Sequence, residues 1–315
     1  MKIHVVIRQE WIVMGRTELQ KTPFDEFAFL DADAARLGVA NPLPVRRASE
    51  VAANGDRISA LRWGADDPEI AFLHGAGLNA HSWDSTAVVL GCAAVALDLP
   101  GHGESEWRAD SDYTPPTIAV ALASVIPKFS TKVRILVGQS LGGLAAIPVA
   151  NQLHAQLSHL VIVDVTPGFQ SKPSFTSPVS TFIAGPESYA SHAELINRAI
   201  AFGIGRSAAD LERGVMLNTR VREDGRVIFK HHLASLPAGS HRDFDGEALW
   251  PVLEALDIPV MLIHGSRGIL EAEALEVFSR HIPSATVVEI DAGHNVQRDA
   301  PVELATVIRD FGATH

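Results

Sequence analysis

The sequence predicts an α/β fold: a mostly parallel sheet of eight strands, with helices on both faces and an inserted cap. Short, continuous apolar segments alternate with helical segments over residues 45–166 and again over residues 251–315. Such alternation is typical of parallel strands that are buried on both faces. Over residues 167–250 the strand periodicity disappears, and this stretch is too long for a simple loop. We therefore expect one sheet-containing core that an insertion interrupts.

The predicted elements follow one another in an order that fits this fold. Residues 1–44 are an N-terminal extension, within which residues 22–40 predict an acidic amphipathic helix. Asn54-Gly55-Asp56 separates two strand-like segments, and a turn of the Asn-Gly type predicts a β-hairpin there. The predicted strands are 45–53, 58–63, 69–73, 93–99, 133–137, 159–165, 259–263 and 286–290, and the predicted core helices are 80–90, 115–129, 141–154, 271–281 and 300–311.

The insertion at residues 167–250 predicts a cap, because prolines interrupt its first part and mixed helical segments follow. In open α/β sheets, ligands bind at the carboxyl ends of the strands, and a cap would lie over that edge. The alternative is a packing extension that lies away from any site. Two histidines of the insertion, His231 and His232, are expected at the surface.

Charge and composition exclude several classes of partner. The formal net charge is −11 and no basic run is present, so nucleic acid and anionic membranes are poor partners. No apolar stretch approaches the roughly 18 residues of a membrane span, and the first residues lack a signal-peptide core, although Met14 is a second candidate start. Cys92 is the only cysteine, which rules out an intrachain disulfide and predicts a small core residue. We expect a cytoplasmic monomer or homodimer.

The sequence contains no recognisable motif for a metal or a cofactor. It has no H-E-x-x-H, no Walker loop and no G-x-G-x-x-G after a strand. Gly101-His102-Gly103 is too short for such a motif and lies in the wrong context. We therefore expect neither a cofactor nor a metal.

The segment Gly138-Gln139-Ser140-Leu141-Gly142 is the most informative part of the chain, because it follows an apolar strand and precedes a helical pattern. This is the layout of a nucleophile elbow, in which a serine stands on a strained turn between strand and helix. Gly138 and Gly142 are small where strand and helix nearly touch. The helix that starts behind the serine adds N–H donors and a positive dipole end, which favour an oxyanion.

Four motifs in this order resemble the α/β-hydrolase superfamily, and in particular small capped bacterial carboxylesterases. The resemblance covers residues 45–166 and 255–312 and implies the α/β-hydrolase fold and a serine hydrolase. The motifs are His74-Gly75-Ala76-Gly77 with Trp83 downstream, Asp98-Leu99-Pro100-Gly101-His102-Gly103-Glu104-Ser105, the elbow, and Gly293-His294 followed by Asp299-Ala300-Pro301.

The resemblance assigns roles to several of these residues. It implies that Ser140 is the nucleophile and that His294 is the general base, a task for which imidazole has a suitable pKa. The backbone N–H groups of Leu141 and Ala76 are the implied oxyanion hole. His102 is a rival base by sequence alone, but the resemblance implies that it is structural or a wall of the pocket.

The acid that should orient His294 is the open point. In the family it usually follows the seventh strand, where this sequence has Gly268. Asp164 ends a buried strand at the alternative family position, and a buried carboxylate needs a partner such as the imidazole of His294. Glu271 is the other candidate, although it should point away from the site on the next helix. We expect Asp164 to be the acid, and the alternatives left open are Glu271, another acidic residue of the chain, or no acid at all.

These assignments predict a serine esterase that cleaves carboxylic esters through an acyl-enzyme intermediate, and the mixed apolar residues of the cap predict a small to medium acyl chain. Its partner would be a small-molecule ester. Fold does not fix substrate, so a lactonase, a thioesterase or a carbon–carbon bond hydrolase on the same triad remains open. A ligand-binding sensor with little turnover is the alternative from another class, and Gly268 is the feature in its favour.

Overall fold

An eight-stranded sheet forms the centre of the fold. The computed structural model describes residues 24–168, 182, 185–204, 207–236 and 244–313. The strands of this sheet are β1 (Val45–Val51), β2 (Arg57–Trp63), β3 (Ile70–Leu73), β4 (Ala94–Leu97), β5 (Ile135–Gln139), β6 (His159–Val163), β9 (Val260–Arg267) and β10 (Thr286–Gly293). Two further short strands, β7 (Thr219–Val221) and β8 (Val227–Phe229), form a separate hairpin. The order in the sheet is β1-β2-β4-β3-β5-β6-β9-β10, and only β2 runs antiparallel to its neighbours. The predicted mostly parallel sheet of eight strands is confirmed.

Helices cover both faces of this sheet. The helices of the described chain are α1 (Leu30–Arg36), α2 (Asp84–Leu90), α3 (Pro115–Phe129), α4 (Leu141–Gln152), α5 (His192–Ala201), α6 (Ala208–Asn218), α7 (Trp250–Glu254), α8 (Ala272–His281), α9 (Val296–Asp299) and α10 (Pro301–Gly312), with 3₁₀ helices at Ala80–Trp83, His232–Ser235 and Gly246–Leu249. Of these, α5 and α6 belong to the insertion between β6 and β9 and not to the layers on the sheet. One apolar cluster joins α3, α4, α7 and α8 to one face, and a second joins α2, α9 and α10 to the other. In the described part of the chain, no helix combines the length and the apolar character needed to cross a membrane.

The carboxyl ends of the two central strands, β5 and β6, lie next to each other. Every residue of β5 and β6 is buried, so both faces of the sheet centre lie within the core. β5 and β6 are parallel neighbours. Ser140 and Asp164, which directly follow these strands, therefore lie side by side at the carboxyl edge of the sheet, where α/β proteins bind their ligands.

The helix predicted over residues 22–40 is wrong in length, because α1 has only seven residues. Before α1, the side chain of Asp25 accepts a hydrogen bond from the amide of Phe27 (2.9 Å), a local turn that competes with helix. After α1, the chain turns at Gly38, whose φ is +71°. Residues 1–23 lie outside the described range.

The prediction that Cys92 is a core residue is wrong, because Cys92 is exposed. Helix α2 ends at Gly91, which adopts a left-handed conformation (φ 62°). Cys92 therefore lies in the turn between α2 and β4, before the buried strand begins.

Between β6 and β9 the described residues form a separate small unit. It comprises α5, α6 and the β7–β8 hairpin, and it has its own apolar cluster, which includes Tyr189, Leu195, Val215 and Phe229. Residues 169–181, 183–184, 205–206 and 237–243 of the predicted cap lie outside the described residues, and the assignment of residues 167–250 as a cap stays a prediction.

Candidate active site

Ser140 stands at the turn between β5 and α4. Its dihedral angles, φ 53° and ψ −121°, lie outside the regions that residues with a side chain ordinarily adopt. Its amide donates to the carbonyl oxygen of Val163 on the neighbouring β6 (3.0 Å), which fixes the turn to the sheet. Ser140 therefore has the strained backbone of a nucleophile elbow.

The close approach of strand and helix requires the two glycines that flank Ser140. A Cβ atom on Gly138 would overlap the carbonyl group of Gly142. A Cβ atom on Gly142 would overlap the carbonyl oxygen of Leu73 at the end of β3. Both clashes are with backbone, so any larger residue would displace the start of α4 from the sheet.

His294 lies between the hydroxyl of Ser140 and the carboxylate of Asp164. Its Nε2 is 3.1 Å from Ser140 Oγ, and its Nδ1 is 2.7 Å from Asp164 Oδ2. The ring follows the last residue of β10 and is about one-third exposed, whereas the Asp164 side chain is fully buried. A hydroxyl, an imidazole and a carboxylate in this order form the arrangement that activates a serine in hydrolases.

The buried carboxylate of Asp164 is fully used by its neighbours. Besides the contact with His294, its Oδ1 accepts from the amide of Gly265 (3.1 Å) and its Oδ2 accepts from the amide of Ile269 (3.0 Å). Asp164 also has a positive φ of 52°, one of three such non-glycine residues in the described part of the chain, with Ser140 and Ser111. Two of these three strained residues thus belong to this one site.

The structure gives a physical reason for the glycine at position 268. A Cβ atom on Gly268 would overlap the carboxylate of Asp164, so the glycine leaves the space that this carboxylate occupies. Glu271, the alternative acid, is exposed at the start of α8 and has no side-chain hydrogen bond to His294. The carboxylate next to His294 therefore comes from the end of β6.

Residues 74–79, here called the β3 loop, run past Ser140. His74 is fully buried at the start of this loop, and its Nε2 accepts a hydrogen bond from the amide of Leu99 (2.9 Å). Its Nδ1 consequently carries the proton and donates to the carbonyl oxygen of Gly75 (2.8 Å). Burial lowers the pKa of His74 to about 4, which keeps the ring neutral in this structural role.

Ala76 and Leu141, whose amides are the predicted oxyanion donors, lie next to residues of the site. Gly75 approaches closely enough that a Cβ atom there would be 3.2 Å from Ser140 Cβ, and Ala76 follows it in an exposed position. Leu141 begins α4 directly after Ser140. Neither the Ala76 amide nor the Leu141 amide donates to another described residue, and their assignment as the oxyanion hole stays a prediction.

Gln139 is a site residue that the sequence analysis missed. It is buried at the end of β5, and its Nε2 donates to the carbonyl oxygen of His294 (3.1 Å) and lies 3.2 Å from His294 Nε2. A glutamine carries no catalytic signature in sequence. The only available signal is a long polar side chain at the buried end of a strand, directly before the serine.

His231 and His232 of the insertion are not surface residues, contrary to the prediction. His231 is buried, stacks on Phe229 at 4.7 Å between ring centres and lies 6.1 Å from the ring of His102. His232 is half-buried and stacks on Trp107 at 4.5 Å. The rival base His102 is itself buried against the carbonyl oxygen of Pro100 and makes no contact with Ser140.

Comparisons with known proteins agree with this geometry. A family model described as "Alpha/beta hydrolase family" matches residues 70–307. The esterase Rv0045c of Mycobacterium tuberculosis is 36% identical over 296 residues, which cover 91% of this chain and 96% of that protein. A pimeloyl-[acyl-carrier protein] methyl ester esterase of Aeromonas salmonicida is 28% identical over 272 residues, which cover 81% of this chain and 98% of that protein.

A solved structure gives the same result for the fold. The crystal structure of the esterase Rv0045c superposes with a TM-score of 0.80 at 34% identity, and the match covers 93% of this chain and 99% of that one. The family model spans most of the sequence, and this relative matches nearly the whole of it. The chain therefore belongs to the α/β hydrolase family.

Proposed function

We propose that the protein cleaves carboxylic esters of small to medium acyl chain through an acyl-enzyme intermediate on Ser140. The chain is a carboxylic ester hydrolase, like the esterase that matches it over nearly its whole length. The observation that supports an acyl-enzyme on Ser140 is the continuous series of hydrogen bonds from Ser140 Oγ through His294 to Asp164.

In the first step, His294 Nε2 accepts the proton of Ser140 as Oγ forms a bond with the acyl carbon. The carbonyl oxygen becomes an oxyanion, which the amides of Ala76 and Leu141 would stabilise. The positive dipole end of α4, which begins at Leu141, acts on the same oxygen. Asp164 keeps the proton of the imidazole on Nδ1 and stabilises the cation that forms.

In the second step, the tetrahedral intermediate breaks its bond to the alcohol oxygen. His294 donates its Nε2 proton to that oxygen, so that the alcohol leaves and the acyl group stays on Ser140. A water molecule then attacks the acyl-enzyme while His294 accepts one of its protons. The carboxylic acid is released, and the proton returns to Ser140.

The sensor alternative depended on the glycine at the usual position of the acid. Asp164 supplies a carboxylate 2.7 Å from His294 Nδ1, and Gly268 is the residue that makes room for it. These contacts favour turnover over binding alone. We further propose that residues 167–250 cap the site, because α6 of this segment contacts the β3 loop at Asn79.

The direct test is the hydrolysis of p-nitrophenyl esters from acetate to decanoate, with Ser140→Ala as the blank. We expect Ser140-dependent turnover that peaks at one short or medium chain length, and a burst of p-nitrophenol when deacylation is slower than acylation. Turnover that survives in Ser140→Ala would contradict the nucleophile. A rate that increases steadily up to decanoate would contradict the proposed acyl length.

A further inference from the structure

Asn79 is a buried residue that links the β3 loop to α6. Its Nδ2 donates to the carbonyl oxygen of Leu217 (2.9 Å) and to Oδ1 of Asn218 (2.8 Å). Both acceptors lie at the C-terminal end of α6, 138 and 139 residues further along the chain. One amide group therefore connects the sheet-containing core to the segment inserted between β6 and β9.

Both acceptors on α6 are oriented to accept a hydrogen bond from Asn79. The carbonyl groups in the last turn of a helix have no partner within the helix, and Leu217 belongs to that turn. Asn218 donates its own Nδ2 to the carbonyl oxygen of Gly214 (2.8 Å), which orients its Oδ1 toward Asn79. Asn79 and Leu217 are each only 2% exposed, so a lost hydrogen bond would leave a polar group unpaired away from water.

Asn79 is equally fixed on the side of the core. Its Oδ1 accepts from the amide of His81 (2.9 Å) and so caps the 3₁₀ helix that follows the β3 loop. The next amide, of Ala80, donates to Asp98 Oδ1 (2.7 Å). His74 anchors the other end of the loop. The segment between these anchors contains the Ala76 amide, three residues before Asn79.

We propose that Asn79 is a positioning residue that holds the Ala76 amide in place for the oxyanion and makes this placement depend on α6. The proposal rests on the proposed function, in which Ala76 is one of the two oxyanion donors. An oxyanion exists only in the transition state and the tetrahedral intermediate. Displacing the donor should therefore lower kcat and leave KM nearly unchanged.

The test uses Asn79→Ser, since serine still caps the 3₁₀ helix but is too short to reach α6. We expect kcat on a p-nitrophenyl ester to fall about 10- to 100-fold, with KM within about threefold, because loss of a whole oxyanion donor costs roughly 10²- to 10³-fold. The Ki of an alkyl trifluoromethyl ketone, which forms an oxyanion adduct with serine, should rise in parallel with the fall in kcat/KM. Asn54→Ser, in an exposed turn, is the matched control and should leave all three constants unchanged.

The dependence on α6 is tested with Asn218→Ala and the double variant. Both single changes weaken the same contact, so the double variant should be little worse than Asn79→Ser alone. Effects that multiply instead would overturn the link to α6. If Asn79→Ser does not fold, Asn79→Asp is the second variant, because it keeps the cap and the size of the side chain but removes the donor.

Hydrogen exchange separates this proposal from the proposed function. In Asn79→Ser, exchange should accelerate both in residues 74–79 and in residues 214–218. Unchanged exchange in both segments, or kcat and Ki within twofold of the wild type, would overturn the role of Asn79. Absence of Ser140-dependent turnover in the wild-type enzyme would instead refute the proposed function, and the exchange measurement would still decide whether Asn79 couples the two segments.

Discussion

The carboxylate of Asp164 is fully buried and has three hydrogen-bond donors, one of them the imidazole of His294. Asp164→Asn should lower kcat by about 10³- to 10⁴-fold, because the amide can hold the imidazole in the wrong tautomer and provides no charge for the cation. Steady-state kinetics on one p-nitrophenyl ester measures this, with Glu271→Gln as a control that should keep wild-type kcat. A near wild-type kcat in Asp164→Asn would show that another group orients His294.

A substitution at Gly268 tests the position of the Asp164 carboxylate without changing Asp164 itself. Its φ is not in the left-handed region, so alanine meets no backbone strain there, and the nearest obstacle to the new Cβ is the carboxylate of Asp164. Gly268→Ala should displace the carboxylate and lower kcat by roughly 10- to 100-fold, since a misplacement of about 1 Å can have that effect. The matched control is Gly214→Ala, where a Cβ meets nothing within 4 Å. Equal kcat in the two variants would contradict this explanation of the glycine.

Single residues were predictable where local chain geometry determines their position. Ser140 and His294 each follow a strand directly, and the carboxyl ends of parallel strands meet at one edge of the sheet. Gln139 also ends a strand, but its contact with His294 depends on how a loop 155 residues away returns to the site. The prediction that His231 lies at the surface was wrong for a similar reason, because the rings that bury it, such as that of His102, are distant in the sequence.

At the scale of elements, one arginine joins three helices. Arg213 on α6 donates through Nε to Asp33 on α1 (3.0 Å) and through Nη2 to Asp84 on α2 (2.7 Å). Both carboxylates are buried, whereas the Arg213 side chain is 30% exposed. Asp84 also contacts Nδ1 of His81 (2.9 Å). The insertion is thus fixed to the core by charge as well as by the amide of Asn79.

Arg213→Met should lower the free energy of unfolding by about 2 kcal/mol, because two charge-assisted hydrogen bonds are lost and two buried carboxylates keep fewer partners. Urea titration followed by circular dichroism measures the change. Arg222→Met is the matched control: Arg222 forms an ion pair with the exposed Asp224 in the β7–β8 turn, and because both groups are fully solvated its loss should leave the free energy of unfolding nearly unchanged. If the two variants are equally stable, the bridge formed by Arg213 is not stabilising.

Element types were more predictable than element ends. Helix α3 matches the predicted range 115–129, because prolines mark its start and Ser130 adopts an extended conformation at its end. Strands β9 and β10 instead continue beyond the predicted residues 263 and 290. The polar residues in these extensions, such as Ser266 and Asp291, conceal a strand in the sequence. The pairing of β9 with β10, not the pattern of either strand alone, determines where both end.

At the scale of the whole molecule, the alternation of strands and helices was sufficient to predict the sheet, but not how the insertion lies on it. That arrangement depends on contacts between distant parts of the chain, among them a group of buried histidines. Burial lowers the pKa of His74 to about 4, that of His231 to about 3, and that of His102 well below 6.5. His81 is the opposite case: burial lowers its pKa, but Asp84 and Glu26 raise it to about 9.

These shifts predict that acid destabilises the protein. The folded-state pKa values of His74, His102 and His231 lie below 6.5, so the unfolded chain takes up protons first as the pH falls. Their contribution to stability is complete above about pH 6.5 and decreases as the pH falls. Between about pH 6.5 and about pH 5, His74 and His231 should each lower the free energy of unfolding by up to about 2 kcal/mol. His81 acts in the opposite direction: its folded-state pKa of about 9 lies above the unfolded value, so its contribution to stability is complete below about pH 6.5 and is lost as the pH rises toward 9.

His231→Phe isolates one of the three contributions. Neither ring nitrogen of His231 has a hydrogen-bond partner among the described residues, and phenylalanine keeps the stacking on Phe229. The loss of unfolding free energy between about pH 7 and about pH 5 should therefore be smaller by up to about 2 kcal/mol in this variant. Urea titrations at the two pH values measure it, with the exposed His154→Phe as a control that should keep the wild-type difference. If His231→Phe has the wild-type pH dependence, His231 is not held neutral by the fold, and the acid sensitivity must come from other groups.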